Sequence, residues 1–209
     1  MATTMVAGRA LFLALVTTIA AVFLHSAGAV RSYAGVPKGK NTEFIRRSCS
    51  STLYSSLCYT SLVPYANAVA RDPIRLARVA TNISLARVRS VSSHVSSLRG
   101  ADARKVDART LSALEDCEET LGDAAGLTRQ SVHELGLLPT SMDKKVAWRV
   151  SNVQTWMSAA LTNEGTCMDG FTGAGNSAVK ADVRQLVRLA AKYTSNGLAL
   201  VNRLVQRDR

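Results

Sequence analysis

The sequence is poor in the residues that chemistry needs. It has only three histidines, and one of them, His25, sits inside an N-terminal apolar run. His94 and His133 stand near no serine or cysteine motif that would make either the base of a nucleophilic site, so both read as ordinary polar residues of a surface or boundary. No Gly-rich phosphate loop occurs: the glycines of residues 170–175 have no lysine-serine partner and read as a linker. There is no CxxC pair and no well-placed histidine, so neither a metal nor a cofactor is expected. Aromatics make up 5% of the chain and no nucleic-acid motif is present, so nucleic acid is not an expected partner. Carboxylates confined to one helical stripe make poor opposed acid and base groups. Together these absences point away from an enzyme.

Negative charge is scarce as well: 15 Asp and Glu face 26 Lys and Arg, a net charge of +11. Arg9 is the only charged residue among the first thirty, the apolar run Ala10 to Leu24 follows it, and Ala27-Gly28-Ala29 supplies a small-x-small exit. That order is a secretory signal peptide over residues 1–29. The run is short for a membrane span and no second one follows, so no membrane contact is expected after cleavage. Removal of the signal leaves residues 30–209 at +10, enough for one domain with a real core. A basic secreted protein implies an anionic neighbour, and acidic polysaccharide suits that route better than nucleic acid. Residues 30–42, with Gly35, Pro37 and Gly39, read as a flexible leader.

Four cysteines follow the signal: Cys49, Cys58, Cys117 and Cys167. An even number in an oxidising compartment argues for two disulfides, and three pairings are open. Cys49 and Cys58 flank a short segment able to fold back as a hairpin, in which case Cys117 and Cys167 would join distant elements; spacing alone does not choose. Asn82-Ile83-Ser84 is the only Asn-x-Ser/Thr sequon, which makes Asn82 a candidate glycosylation site.

The apolar pattern is helical throughout. Val179, Val183, Leu186, Ala190, Tyr193, Gly197, Leu200 and Leu204 alternate spacings of four and three, predicting one helix of about 40 Å. Val146, Val150, Val153, Met157 and Ala160 repeat the spacing, as do Leu76, Ala80, Ile83, Val91, Val95 and Leu98 with one gap. Leu111, Leu114, Cys117 and Leu121 mark a further helix over roughly 104–126. Asp72-Pro73, Gly100-Ala101-Asp102, Leu138-Pro139 and Gly170 to Gly175 read as the breakers between them. Four long amphipathic helices with short loops predict an all-α, up-and-down four-helix bundle. Residues 43–70 precede it as two short helices, marginal alone. Such a filled core argues against a small-molecule carrier.

One charge feature stands out. Five of the fifteen acids fall within nine positions: Glu115, Asp116, Glu118, Glu119 and Asp123. Glu115, Glu119 and Asp123 are spaced i, i+4, i+8 and form one helical ridge, although like charges at that spacing cost stability. No Lys or Arg lies within the window. The ridge is either a solvated face or a docking strip for a basic partner, which it would also help to orient.

Several segments carry a resemblance. The eight residues between Cys49 and Cys58, LEDCEETLGDA (Leu114 to Ala124), VQTWMSAALTNEGTC (Val153 to Cys167) and TSNGLALVNRL (Thr194 to Leu204) stand in the order and spacing of the plant pectin methylesterase inhibitor and invertase inhibitor family. The chain resembles that family over residues 43–206. The resemblance implies disulfides Cys49–Cys58 and Cys117–Cys167, a bundle capped by a disulfide-linked helical hairpin, and function by one-to-one binding over the substrate cleft of an esterase in the cell wall. Matching the motifs puts the enzyme-contact positions on Glu119, Asp123, Thr166 and Asp169; a further acidic contact aligns near Gly126, where this chain has no acid. Pectin methylesterase is the expected target. Acid invertase is the rival, but the Pro-Lys-Phe motif of invertase-binding members is absent and Thr162 to Cys167 looks more like the esterase side. The family's domains also occur fused to esterases; here the sequence ends with the bundle, so no catalytic half is expected. A rival of another class is a wall-bound protein that holds acidic pectin by charge.

Overall fold

The computed structural model describes residues 39–102, 106–139, 144–175 and 178–206; the expected signal peptide and the expected leader up to residue 38 lie outside the described residues. The elements are α1 (Lys40–Cys49), α2 (Ser55–Leu62), a single 3-10 turn (Val63–Tyr65), α3 (Ala66–Val69), α4 (Pro73–Asp102), α5 (Ala108–Gly136), α6 (Lys144–Gly170) and α7 (Ala178–Gln206). No strand occurs among the described residues. Residues 40–42, read from the sequence as the end of the leader, belong to α1, where the Thr42 hydroxyl accepts the Gly39 N–H at 3.1 Å.

Local chemistry sets the starts of the long helices. Pro73 opens α4, where its missing N–H costs nothing, and the Asp72 carboxylate accepts the N–H groups of Ile74 and Arg75 at 2.8 and 3.2 Å. Asp107 caps α5: it accepts the Thr110 N–H at 3.0 Å and the Thr110 hydroxyl at 2.7 Å. These bonds, the hydroxyl's first, hold its carboxyl below the ordinary value.

The four long helices close a ring in which α4 packs on α5, α5 on α6, α6 on α7 and α7 on α4. Each neighbouring pair runs antiparallel. Arg99, late in α4, meets Glu118, early in α5; Cys117, early in α5, is bonded to Cys167, late in α6. Gln154 of α6 donates to Asn202, late in α7, and His94, late in α4, meets Asp182, early in α7. This is an up-and-down bundle with α5 and α7 on one diagonal. The Cys49–Cys58 bridge ties α1 to α2 as a hairpin. The hairpin seats on the C-terminal third of α7, where Asn196 accepts the Tyr54 N–H at 3.2 Å and donates to its carbonyl at 3.0 Å. Arg203 donates to the Ser48 carbonyl at 2.8 Å. Gly197 lets α7 lie close to its neighbours, because a Cβ there would stand 3.2 Å from Met157 Cε.

The core divides into two apolar clusters. One joins the hairpin to Leu76, Val150, Met157 and Leu204; the other surrounds the second disulfide with Leu114, Leu121, Phe171 and Val187. A buried relay links three helices: Ser84 Oγ to Thr194 Oγ1 at 2.8 Å, and Thr194 Oγ1 to Glu164 Oε1 at 2.8 Å. Glu164 is 0% exposed and its Oε2 has no partner. Burial, opposed by the Thr194 bond, pushes its carboxyl up to about 8, so it is neutral in a mildly acidic medium.

Other sequence boundaries shift too, with α5 starting at Ala108 rather than near 104. The α5 helix runs to Gly136, ten residues past the expected end, because Thr128 and Ser131 continue its inward face where the apolar stripe stops. Their hydroxyls satisfy themselves within the helix, on Ala124 O at 2.7 Å and Leu127 O at 3.0 Å. Likewise α4 continues through Gly100 to Asp102 rather than breaking there.

Candidate functional site

The period of α5 orders its acids. Leu114, Cys117, Leu121 and Ala124 are buried, so Glu115, Asp116, Glu119 and Asp123 turn outward and are exposed. Glu115, Glu119 and Asp123 stand one turn apart, a ridge about 12 Å long. Glu118, on the flank towards α4, is taken by Arg99 at 2.6 Å. Among the described residues no basic group lies within ion-pair distance of the other four acids of the cluster.

The second disulfide brings α6 to this ridge. The Cα atoms of Cys117 and Cys167 are 4.2 Å apart, which fixes the register of two antiparallel helices. Glu115 therefore comes level with Asp169, and Thr166 comes level with the turn that holds Glu118 and Glu119. Thr166 and Asp169 are exposed. The Thr166 hydroxyl donates to Thr162 O at 3.1 Å, which leaves its oxygen as an acceptor facing outward. The Asp169 carbonyl receives the Thr172 N–H at 2.9 Å, and the fully buried Phe171 anchors the turn beyond it. Arg109 donates to Gly173 O at 3.4 Å, across the connection that follows α6.

Stability does not explain this face. Like charges one turn apart repel, and Asp169 sits in the last turn of α6, at the negative end of the helix dipole. The remaining acids whose side chains are described are occupied elsewhere. Glu43 pairs with Arg46, Asp72 with Arg75, Glu134 with Arg149 and Asp182 with His94. Asp107 caps α5 and Glu164 is buried. Among the described residues, the unpaired negative charge of this strongly basic chain is thus gathered on one face, from Asp169 and Glu115 at one end to Asp123 at the other.

Of the four contact positions expected from the sequence, Glu119 and Asp123 share the ridge, and Thr166 and Asp169 lie beside it on α6. At Gly126 nothing lies within 4 Å of the place a Cβ would occupy, so the face is open there and carries no acid. Sequence reasoning missed the alignment of Glu115 and Asp116 with Asp169; counting outward from the two cysteines along antiparallel helices would have found it. His94, expected as an ordinary polar residue of a surface or boundary, is on the surface, with its Nε2 2.6 Å from Asp182 across α4 and α7. Asn82 is exposed on α4, with its amide donating to Arg78 O at 3.1 Å. No group of three metal-ligating side chains is present among the described residues, and none of their helices is long and apolar enough to cross a membrane.

The model of the family described as plant invertase/pectin methylesterase inhibitor matches residues 43–200. The chain belongs to this family. As a member of the plant invertase/pectin methylesterase inhibitor family it is an inhibitor-type protein and not an enzyme. It is 39% identical over 194 residues to Pectinesterase inhibitor 9 of Arabidopsis thaliana, covering 91% of this chain and 95% of that one. It is 39% identical over 163 residues to Pectinesterase inhibitor 10 of the same plant, where the match covers 78% of this chain and spans about half, 51%, of the relative. A crystal structure of a mutant form of a pectin methylesterase inhibitor from Arabidopsis superimposes with a TM-score of 0.58 at 19% identity, covering 74% of this chain and 92% of that one. That likeness confirms the helical bundle.

Proposed function

We propose that this protein is a secreted inhibitor of a pectin methylesterase. It binds one-to-one through the acidic face of α5 and α6, which lies over the substrate cleft and keeps pectin out. The concentration of unpaired acids on that face carries the reading. Charge held together at a cost to the helix fits a basic protein partner, and complementary charge speeds and orients the encounter. The names of the relatives support an esterase as the target. The signal peptide over residues 1–29 supports action outside the cell, in the wall. Acid invertase is the second reading, since the family description covers both enzymes. The missing Pro-Lys-Phe motif and the stretch Thr162 to Cys167 favour the esterase.

The test is charge reversal on the ridge. The double variant Glu119→Lys/Asp123→Lys should weaken inhibition of a basic pectin methylesterase while circular dichroism stays native-like. Each reversal should cost about 2 kcal/mol or more where the pair is desolvated in the complex. The advantage of the wild type should shrink as salt rises and the Debye length shortens. Unchanged inhibition by the folded double variant would reduce the ridge to a solvated face.

A further inference from the structure

The acids of this bundle gather on α5, which carries six against two arginines. The α4 helix carries five arginines against one acid, and α7, on the diagonal from α5, carries five Lys and Arg against one acid. Four of the five, Lys180, Arg184, Arg188 and Lys192, stand at i, i+4, i+8 and i+12, a row about 18 Å long. The buried residues Val183, Val187, Ala190 and Thr194 turn the row away from the core, and Arg188 and Lys192 are exposed. The single acid, Asp182, is taken by His94. Among the described residues no carboxylate pairs with Arg184 or Arg188. Like charges at this spacing cost helix stability, as on α5; at the start of the row Lys180 Nζ donates to the Ala174 carbonyl at 2.7 Å. The hairpin meets α7 at Asn196 and at the end of the row, where Lys192 lies 5.4 Å from the centre of the Tyr54 ring.

We propose that this outer face of α7 is a second binding surface, separate from the acidic face, for a linear polyuronate such as de-esterified pectin. Planar guanidinium groups match carboxylates in two-point fashion, and a straight open row suits a polymer with carboxylates repeated along its length. The row contains no aromatic side chain on which bases could stack, which disfavours a single-stranded nucleic acid. Its exposed apolar content is Leu189, 38% exposed, and alanines, too little for insertion into a lipid surface. The choice of polyuronate rests on the esterase reading in one respect only: removing methyl esters from pectin creates carboxylates on the polymer. Because α5 and α7 lie on one diagonal, the inhibitor can hold that polymer and present its acidic face to an enzyme at once. It is thereby held where an esterase has already worked.

Retention of the mature, disulfide-bonded protein on immobilised polygalacturonate tests this without any enzyme, so failure of inhibition and failure of this proposal are separate results. Arg184→Glu/Arg188→Glu should bind about tenfold or more weakly at low salt and elute at lower salt than the wild type. The charge-matched variant Arg78→Glu/Arg89→Glu, on the exposed face of α4, should lose much less, and Glu119→Lys/Asp123→Lys should lose nothing. Equal losses from the α4 and α7 variants would mean that net charge alone holds the polymer and would overturn the site. So would undiminished retention of the α7 variant, retention on fully methyl-esterified pectin, or tighter binding to duplex DNA than to polygalacturonate. Full inhibition of the esterase in solution by the α7 variant supports two separate faces; its loss would merge them and overturn the proposal.

Discussion

Glu164 should make the fold more stable in acid than at neutrality. Its carboxyl is 0% exposed, accepts one hydrogen bond from Thr194 and has no partner on Oε2. Burial raises its pKa from 4.5 to about 8. Between these values the unfolded chain gives up the proton and the folded chain keeps it. The folded state binds more protons there, so stability falls as pH rises, by about 1.4 kcal/mol per unit. The contribution is complete below pH 4.5 and is lost by about pH 8. From pH 5 to pH 7 the loss due to this group alone is roughly 2.5 kcal/mol, a large share of the stability of a domain this size. Glu164→Gln keeps an acceptor for the Thr194 hydroxyl and removes the titration. Urea unfolding of both proteins at pH 5 and pH 7 isolates the group, because the other titrations cancel in the difference. The wild type should lose roughly 2.5 kcal/mol more than the variant over that interval. Equal pH slopes would refute the reasoning and mean that Glu164 is ionised or hydrated in the folded protein.

Two more expectations follow from placement. Cys117→Ser should lower thermal stability more than Cys58→Ser, because the first opens a loop with a sequence separation of 50 and the second one of 9. Loop-closure entropy puts these at about 4 and about 2.7 kcal/mol, and equal, negligible shifts in Tm would contradict it. Protein made in plant cells should carry a glycan on the exposed Asn82, so glycosidase treatment should reduce its mass; an unchanged mass would show the sequon empty.

The bundle was legible because its four stripes are regular and most of its breaks hold Pro or Gly; the break between α4 and α5, at residues 103–107, holds neither. It was least legible where polar residues face inward. Thr128 and Ser131 bury their hydroxyls by bonding their own helix, so an apolar count ends α5 too early. Ala160, Glu164 and Cys167 keep the spacing of four and three, so the sequence does mark Glu164 as inward, but its charge hides it from a hydrophobic pattern. The docking of the hairpin left no trace, since the two bonds of Asn196 reach the backbone of Tyr54, 142 residues away, and any residue could supply that backbone. On the acidic face, the ridge was visible from its period. Its union with Thr166 and Asp169 needed the Cys117–Cys167 pairing, which spacing does not choose and the family resemblance implies.

The most direct measurement is a titration of the mature protein into a pectin methylesterase and, in parallel, into an acid invertase, followed by initial rates. Esterase activity should fall to its floor at one equivalent of inhibitor, while the invertase rate stays unchanged. Inhibition of the invertase alone, or of neither enzyme by protein with both disulfides formed, would contradict the assignment.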